Sequence, residues 1–156
     1  MASAHLVTIA EAVKEALATA AVAREFAQEF APVRSYRPEY SLEELGTLRV
    51  TVIGRKESLV VSSRSKRQVD YAIDVGVQKK VAKPADVTEG DSLMLLTQQI
   101  EDYFWDLTKR PNDANDEPVT LDTATTGEGD ATWSPEYMRE HGAFSAVITL
   151  TFRGFR

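Results

Sequence analysis

The sequence predicts an α+β fold, a mainly antiparallel β-sheet covered on one face by two long α-helices, in a single domain over 1–156. Three observations predict it. Apolar and polar residues alternate through Val69–Val77 and through Ala143–Arg156, the two-residue period of a half-buried strand. Apolar residues recur at spacings of three and four through 8–22 and 88–107, the period of an amphipathic helix. The candidate strands are joined by short polar turns rather than regular crossover helices, which favours antiparallel neighbours.

The elements follow in order. Thr8 and Glu11 form a capping-box pattern, which predicts a helix from Thr8 to about residue 22. Ile9, Val13, Ala16, Leu17 and Ala20 make its apolar stripe, and the many alanines let it pack closely on a sheet. Phe26, Gln28 and Phe30 alternate, and Val33 and Tyr36 continue the extended character. Pro32 cannot donate to a ladder, so Phe26–Tyr36 reads as an edge strand or one interrupted at the proline. Ser41 and Glu44 repeat the capping box, with Gly46 as a stop, leaving room for one helical turn. Thr47–Gly54 is an alternating strand, Arg55–Ser58 a polar turn, Ser58–Ser63 a further short strand, and Ser63–Gln68 a basic loop.

Val69, Tyr71, Ile73, Val75 and Val77 then define the cleanest strand of the chain. Leu93, Leu96, Ile100, Tyr103 and Leu107 place the second helix over Thr88–Leu107, with Phe104 and Trp105 widening its apolar stripe so that more than one surface can contact it. A polar loop over Pro111–Glu117, a weak strand over Val119–Thr125 and a turn over Thr126–Asp130 follow. Ser134-Pro135-Glu136 predicts a short helix closed by Gly142. The final block, AFSAVITLTFRGFR, alternates Phe144, Ala146, Ile148, Leu150 and Phe152 with Ser145, Val147, Thr149, Thr151 and Arg153. Its Phe144, Ile148 and Phe152 face is expected to anchor the sheet beneath both helices.

Composition narrows the function. A chain of 156 residues suits one core and buries roughly 70% of its unfolded surface, so it needs no staples. With no cysteine, disulfides and thiolate metal sites are excluded. The net charge of −6 does not suit a broad grip on nucleic acid. It keeps a protein soluble, and it also suits the wall of a passage to which DNA must not stick. No run of about 18 apolar residues offers a membrane span. Glu11, Lys14, Glu15 and Arg24 interrupt the alanine-rich start, so it does not read as a signal peptide, and the protein is expected in the cytoplasm when made.

Candidate chemistry is sparse. His5 and His141 are the two histidines, and no HxxxH or His-x-His spacing supports a metal site. Asp70 and Asp74 share one strand face about 13 Å apart, too far for a glycosidase pair, and read as solvated or as facing Arg and Lys on a neighbour. Gly127-Glu128-Gly129 is an ordinary hairpin tip and a poor phosphate cradle. No serine sits in GxSxG. Arg64, Lys66 and Arg67 form the basic cluster. Without interleaved aromatics it points to an acidic partner subunit more than to nucleic acid. The chain is expected to be no enzyme and to need no cofactor.

LRVTVIGR (48–55), SRSKRQVDYAIDVGVQKK (63–80) and WSPEYMREHGAFSAVITLTFR (133–153) together resemble a family of small tailed-bacteriophage proteins, the tail terminator, tail completion or head–tail joining proteins. Thr47–Lys80 and Trp133–Arg153 carry the resemblance, about a third of the chain. Its motifs are structural, and no active-site residues carry over. The resemblance implies a homo-oligomeric ring, a hexamer, at the head-proximal end of the tail. Such a ring ends tube growth and joins the tail tube protein to the head–tail connector, with DNA passing through its lumen without sequence-specific contact and no membrane involved. It implies a place in the virion tail or neck, reached from the host cytoplasm. A neck or head-completion adaptor, or a tail-tube-like ring, is the alternative, and a small-molecule module the remote one. A ring needs one face of a subunit to meet a different face of the next. The interface candidates are Arg64, Lys66, Arg67, Glu128, Asp130 and Arg153. The basic loop is expected to meet an acidic neighbour surface such as 113–117 or 128–130, and Arg153 and Arg156 to lie near a subunit boundary.

Overall fold

Helix α1, His5–Val22, buries Ile9, Ala10, Val13, Leu17, Ala20 and Ala21, the stripe its sequence spacing predicts with Ala16 half-buried beside it. In this computed structural model residues 3–36, 41, 43–65, 67–83, 87–128, 130–131 and 142–156 are described, without the side chains of 60–62, 125–128 and 130–131. The helix begins a turn before Thr8. Ala4 is the N-cap and offers no side-chain cap, and the Thr8 N–H already donates to the Ala4 carbonyl at 3.0 Å. Tertiary contacts override the capping box: Leu6 packs against Gly54, and the Ala114 N–H donates to His5 Nδ1 at 3.3 Å.

The segment after α1 is not a strand over Phe26–Tyr36. Only β1, Val33–Arg34, joins the sheet, in parallel with the next strand and at its edge. The reason lies in α2, Val87–Tyr103. The Ala27 N–H donates to Gln99 Oε1 at 2.8 Å, Gln28 Nε2 donates to Ser92 Oγ at 3.0 Å, and Phe26 packs on Tyr103 with ring centroids 5.3 Å apart. The backbone is thereby tied to a helix instead of a ladder.

Ser41 and Glu44 do make a reciprocal cap. Ser41 Oγ donates to Glu44 Oε1 at 3.1 Å and accepts from the Glu44 N–H at 3.3 Å, ahead of a 3-10 turn over Glu44–Gly46. Strand β2 then runs unbroken over Arg49–Ser62. Arg55–Ser58 is not a turn. The extra residue is absorbed as a bulge between Gly54 and Lys56, with a second between Leu59 and Val61. The bulge keeps alternation on both sides of it, which is why the sequence looks like two strands with a break.

Strand β3, Arg67–Lys80, pairs antiparallel with β2 and with β6, Ala143–Phe155. Strand β4, Thr120–Glu128, lies outside β6, and the two-residue β5, Asp130–Ala131, folds back on β4. The sheet is mixed, in the order β1-β2-β3-β6-β4-β5. The chain is thus α+β, and its last strand occupies an interior position.

Alpha-helix α2 stops at Tyr103 rather than Leu107. Asp106 accepts from the Thr108 N–H at 3.0 Å and from its hydroxyl at 2.8 Å, which starts a separate 3-10 turn, Leu107–Lys109, and leaves Leu107 exposed. One core cluster joins Ile9, Val13 and Leu17 of α1 and Leu93, Leu96 and Ile100 of α2 to Val52, Tyr71, Ile73, Val75, Phe144, Ile148, Leu150 and Phe152 of the sheet. Each such side chain contributes about 1.5–3 kcal/mol by leaving water. Helix α1 contacts β2 and β3, and α2 contacts β6 and β4. The short helix expected over 134–142 and the Trp133 block lie outside the described residues, apart from Gly142 with φ of 63°.

Candidate functional site: charged strand faces and exposed apolar edges

The register puts Asp70, Ala72, Asp74, Gly76 and Gln78 of β3 opposite Arg153, Thr151, Thr149, Val147 and Ser145 of β6, on the sheet face away from the core-facing Tyr71, Ile73 and Val75. Alternation alone sorts these residues, because successive side chains leave a strand on opposite faces. Arg153 Nε donates to Asp70 Oδ1 at 2.9 Å, and its Nη2 reaches Asp70 Oδ2 and Asp122 Oδ2, each at 3.2 Å. Asp70 holds the guanidinium above its ordinary range, so Arg153 stays charged throughout. Asp74 accepts from Thr149 Oγ1 at 2.8 Å and lies 3.5 Å from Arg55 Nε, which the β2 bulge turns towards it.

Asp70 and Asp74 are therefore bound into separate intrachain contacts. Arg55, Lys56, Ser58, Asp70, Ala72, Thr149 and Thr151 line a depression of about 280 Å³ between them. Asp70 is paired with Arg153 beside this depression, and the Thr149 hydroxyl on its wall donates to Asp74. Among the described residues no group of three or more His, Asp or Glu could hold a metal ion, and no helix is long and apolar enough to cross a membrane.

The interface candidates distribute unevenly. Arg64 is exposed in the bend between β2 and β3, and Arg67 is exposed at the start of β3. Arg67 and Arg156 exchange backbone hydrogen bonds at 2.6 and 2.8 Å, and Arg156 Nη2 donates to Glu57 Oε2 at 2.7 Å. These residues gather at one end of the β2-β3-β6 ribbon, with Arg156 already engaged in its own chain. Lys66 lies outside the described residues. Glu128 and Asp130 are paired across β4 and β5 by backbone register, and their side chains are not among those described. Arg153 stands apart from the basic end, clamped by its two aspartates.

The acidic loop 113–117 does not present itself whole. Asp113 is buried, accepts the N–H groups of Asn115 and Glu117 at 2.9 and 3.1 Å, and lies 3.5 Å from His5 Nδ1. It organises a turn in which Asp116 has φ of 60°, so it is withdrawn as a docking residue. His5 stacks on Tyr71 at 6.3 Å and belongs to this structural contact, while His141 lies outside the described residues.

What strand and motif reading did not single out is the outer side of α2. Asp91, Met94, Leu95, Gln98, Glu101 and Asp102 line an open groove of about 620 Å³ together with Thr97. Met94 is 40% exposed and Leu95 48%. Burial, and then the Asp102 charge, push the Glu101 carboxyl above the usual carboxylate range. The signal was present in the sequence as apolar residues at 94, 95 and 105 beside the inward set at 93, 96 and 100.

No protein-family model matches the chain, and no curated protein matches it significantly.

Proposed function

We propose that this chain is a structural virion protein that forms a ring at the head-proximal end of a tailed-phage tail, ending tube assembly and joining the tail to the head connector. In this reading both helices cover one face of the sheet, and the polar face and strand edges meet other subunits. It rests on the resemblance carried by Thr47–Lys80 and the closing block. Those segments supply β2, β3 and β6, which lie side by side.

The observation that carries the proposal is the outer edge of β2. The strand spans Arg49–Ser62, and the two-residue β1 pairs with it at Thr51 and Val52. A strand edge of this length is a template for another chain. The pairing of Arg153 with Asp70 and Asp122 supports the same reading, because it ties three strands of the polar face together as a structural contact.

Light scattering after size exclusion and negative-stain imaging of the purified protein test it, and closed rings are expected. Particles assembled without the protein are expected to carry tails of uncontrolled length. Normal tails that fail to join heads would instead place it as a neck adaptor. A strictly monomeric protein that turns over a metabolite would overturn the proposal.

A further inference from the structure

The outer stripe of α2 and the basic end of the β2-β3-β6 ribbon are complementary in two respects. At about 100° per residue, Asp91, Met94, Leu95, Gln98, Glu101 and Asp102 fall on the side of α2 away from the buried Leu93, Leu96, Thr97 and Ile100. Trp105, 51% exposed, extends the stripe just past the helix. The helix carries Glu89, Asp91, Glu101 and Asp102 and no Lys or Arg. The ribbon end pairs Arg64 and Arg67 with an exposed apolar residue of its own, Leu59 at 59%. The register puts Leu59 opposite Val69 and Arg67 opposite Ser62, both on the core-facing side of that end, whereas Phe155, opposite Gln68, leaves on the other face. Because the stripe points away from the sheet, it cannot meet the ribbon end of its own chain.

We infer that the outer stripe of α2 docks on the β2-β3-β6 end of a second copy of this chain. Met94, Leu95 and Trp105 cover Leu59, and Asp91, Glu101 and Asp102 face Arg64 and Arg67. The contact joins two different surfaces, so repetition closes a ring or extends a filament and does not stop at a pair. The inference rests on the ring reading and names the surfaces that build it.

The test uses the full chain with Trp133→Phe, which leaves Trp105 as the one indole of the two in the sequence. Sedimentation velocity across protein and salt concentration is read beside Trp105 emission. R64E/R67E and D91K/E101K/D102K are each expected to weaken assembly at least tenfold, about the effect of placing like charges across a contact. Circular dichroism and melting temperature check that each variant is folded. Combining both sets in one chain, or mixing the two variants, is expected to restore assembly and the blue shift of Trp105. Assembly unaffected by either reversal, or lost in both and regained in neither combination, overturns the inference while the ring reading stands. A parent chain that stays monomeric at every concentration overturns both.

Discussion

Phe152 concentrates the energetics of this fold in one side chain. It is fully buried, lies opposite Tyr71 on β3 and Leu121 on β4, and meets Phe104 edge-on with centroids 5.8 Å apart and planes at 89°. Phe104 in turn meets Tyr103 at 5.0 Å, and Tyr103 meets Phe26 at 5.3 Å, so the ring pair is the inner end of an aromatic chain that runs out along α2. Phe152→Ala removes the largest apolar payload at the centre of the sheet. The transfer and cavity terms come to about 3–5 kcal/mol. The edge-to-face pair with Phe104 accounts for about 0.5–1.5 kcal/mol beyond area. Against a total stability of about 5–15 kcal/mol the variant should be folded but marginal. At roughly 2–4 °C per kcal/mol for a domain of this size, the melting temperature should fall by about 6–20 °C. Urea unfolding of wild type, F152A, F104A and the double variant gives both the cost and the coupling. A cost under about 1 kcal/mol, or additivity of the two single variants, would refute the placement of Phe152 against Phe104.

Three further outcomes are expected. Gly154→Ala puts a methyl 3.0 Å from Val119 Cγ1 and 3.4 Å from Tyr71 Cε2, and should cost about 1–3 kcal/mol by chemical denaturation, whereas Gly46→Ala, with nothing within 4 Å, should be near neutral. Arg153→Ala leaves Asp70 and Asp122 without their shared cation and should lower stability slightly, by less when salt is raised because the cluster is partly exposed; an unchanged cost at high salt would count against a charge origin. A chain cut before Ala143 should fail to fold, since it loses the strand that β3 and β4 both need, and a soluble cooperative truncation by circular dichroism would contradict that.

Regular pleating was legible from residue types alone. From Val69 to Val77 in β3 and from Phe144 to Phe152 in β6 every second residue is apolar, and the core faces lie where that alternation puts them. The helix stripes read equally well, because Ile9, Val13 and Leu17, and Leu93, Leu96 and Ile100, are set by a local period. What was not legible depends on partners distant in sequence. Gln99 takes the Ala27 N–H and dissolves the expected strand at Phe26, and packing at Gly54 starts α1 before its cap. The bulge at Arg55 imitates a turn, because one extra residue breaks the alternation whether or not the chain reverses. The charged faces were partly legible. Asp70 and Asp74 were placed on one polar face, but their partners Arg153, Thr149 and Arg55 follow only from register. Arg64 and Arg67 were picked out as a basic cluster, whereas the opposing stripe on α2 hid behind the stronger inward one.

The interior position of β6 also sets the order of events during synthesis. Among the described residues β4 pairs with β6 and the two-residue β5, and β3 keeps one side open until β6 arrives. The nascent β2-β3 hairpin must therefore wait on the ribosome with half its ladder unmade until Phe155 has cleared the exit tunnel. Pairings this distant in sequence close slowly, because the loop entropy is spent before the contacts form. Slowed translation upstream of Ala143 should lengthen this wait, and with it the yield lost to aggregation.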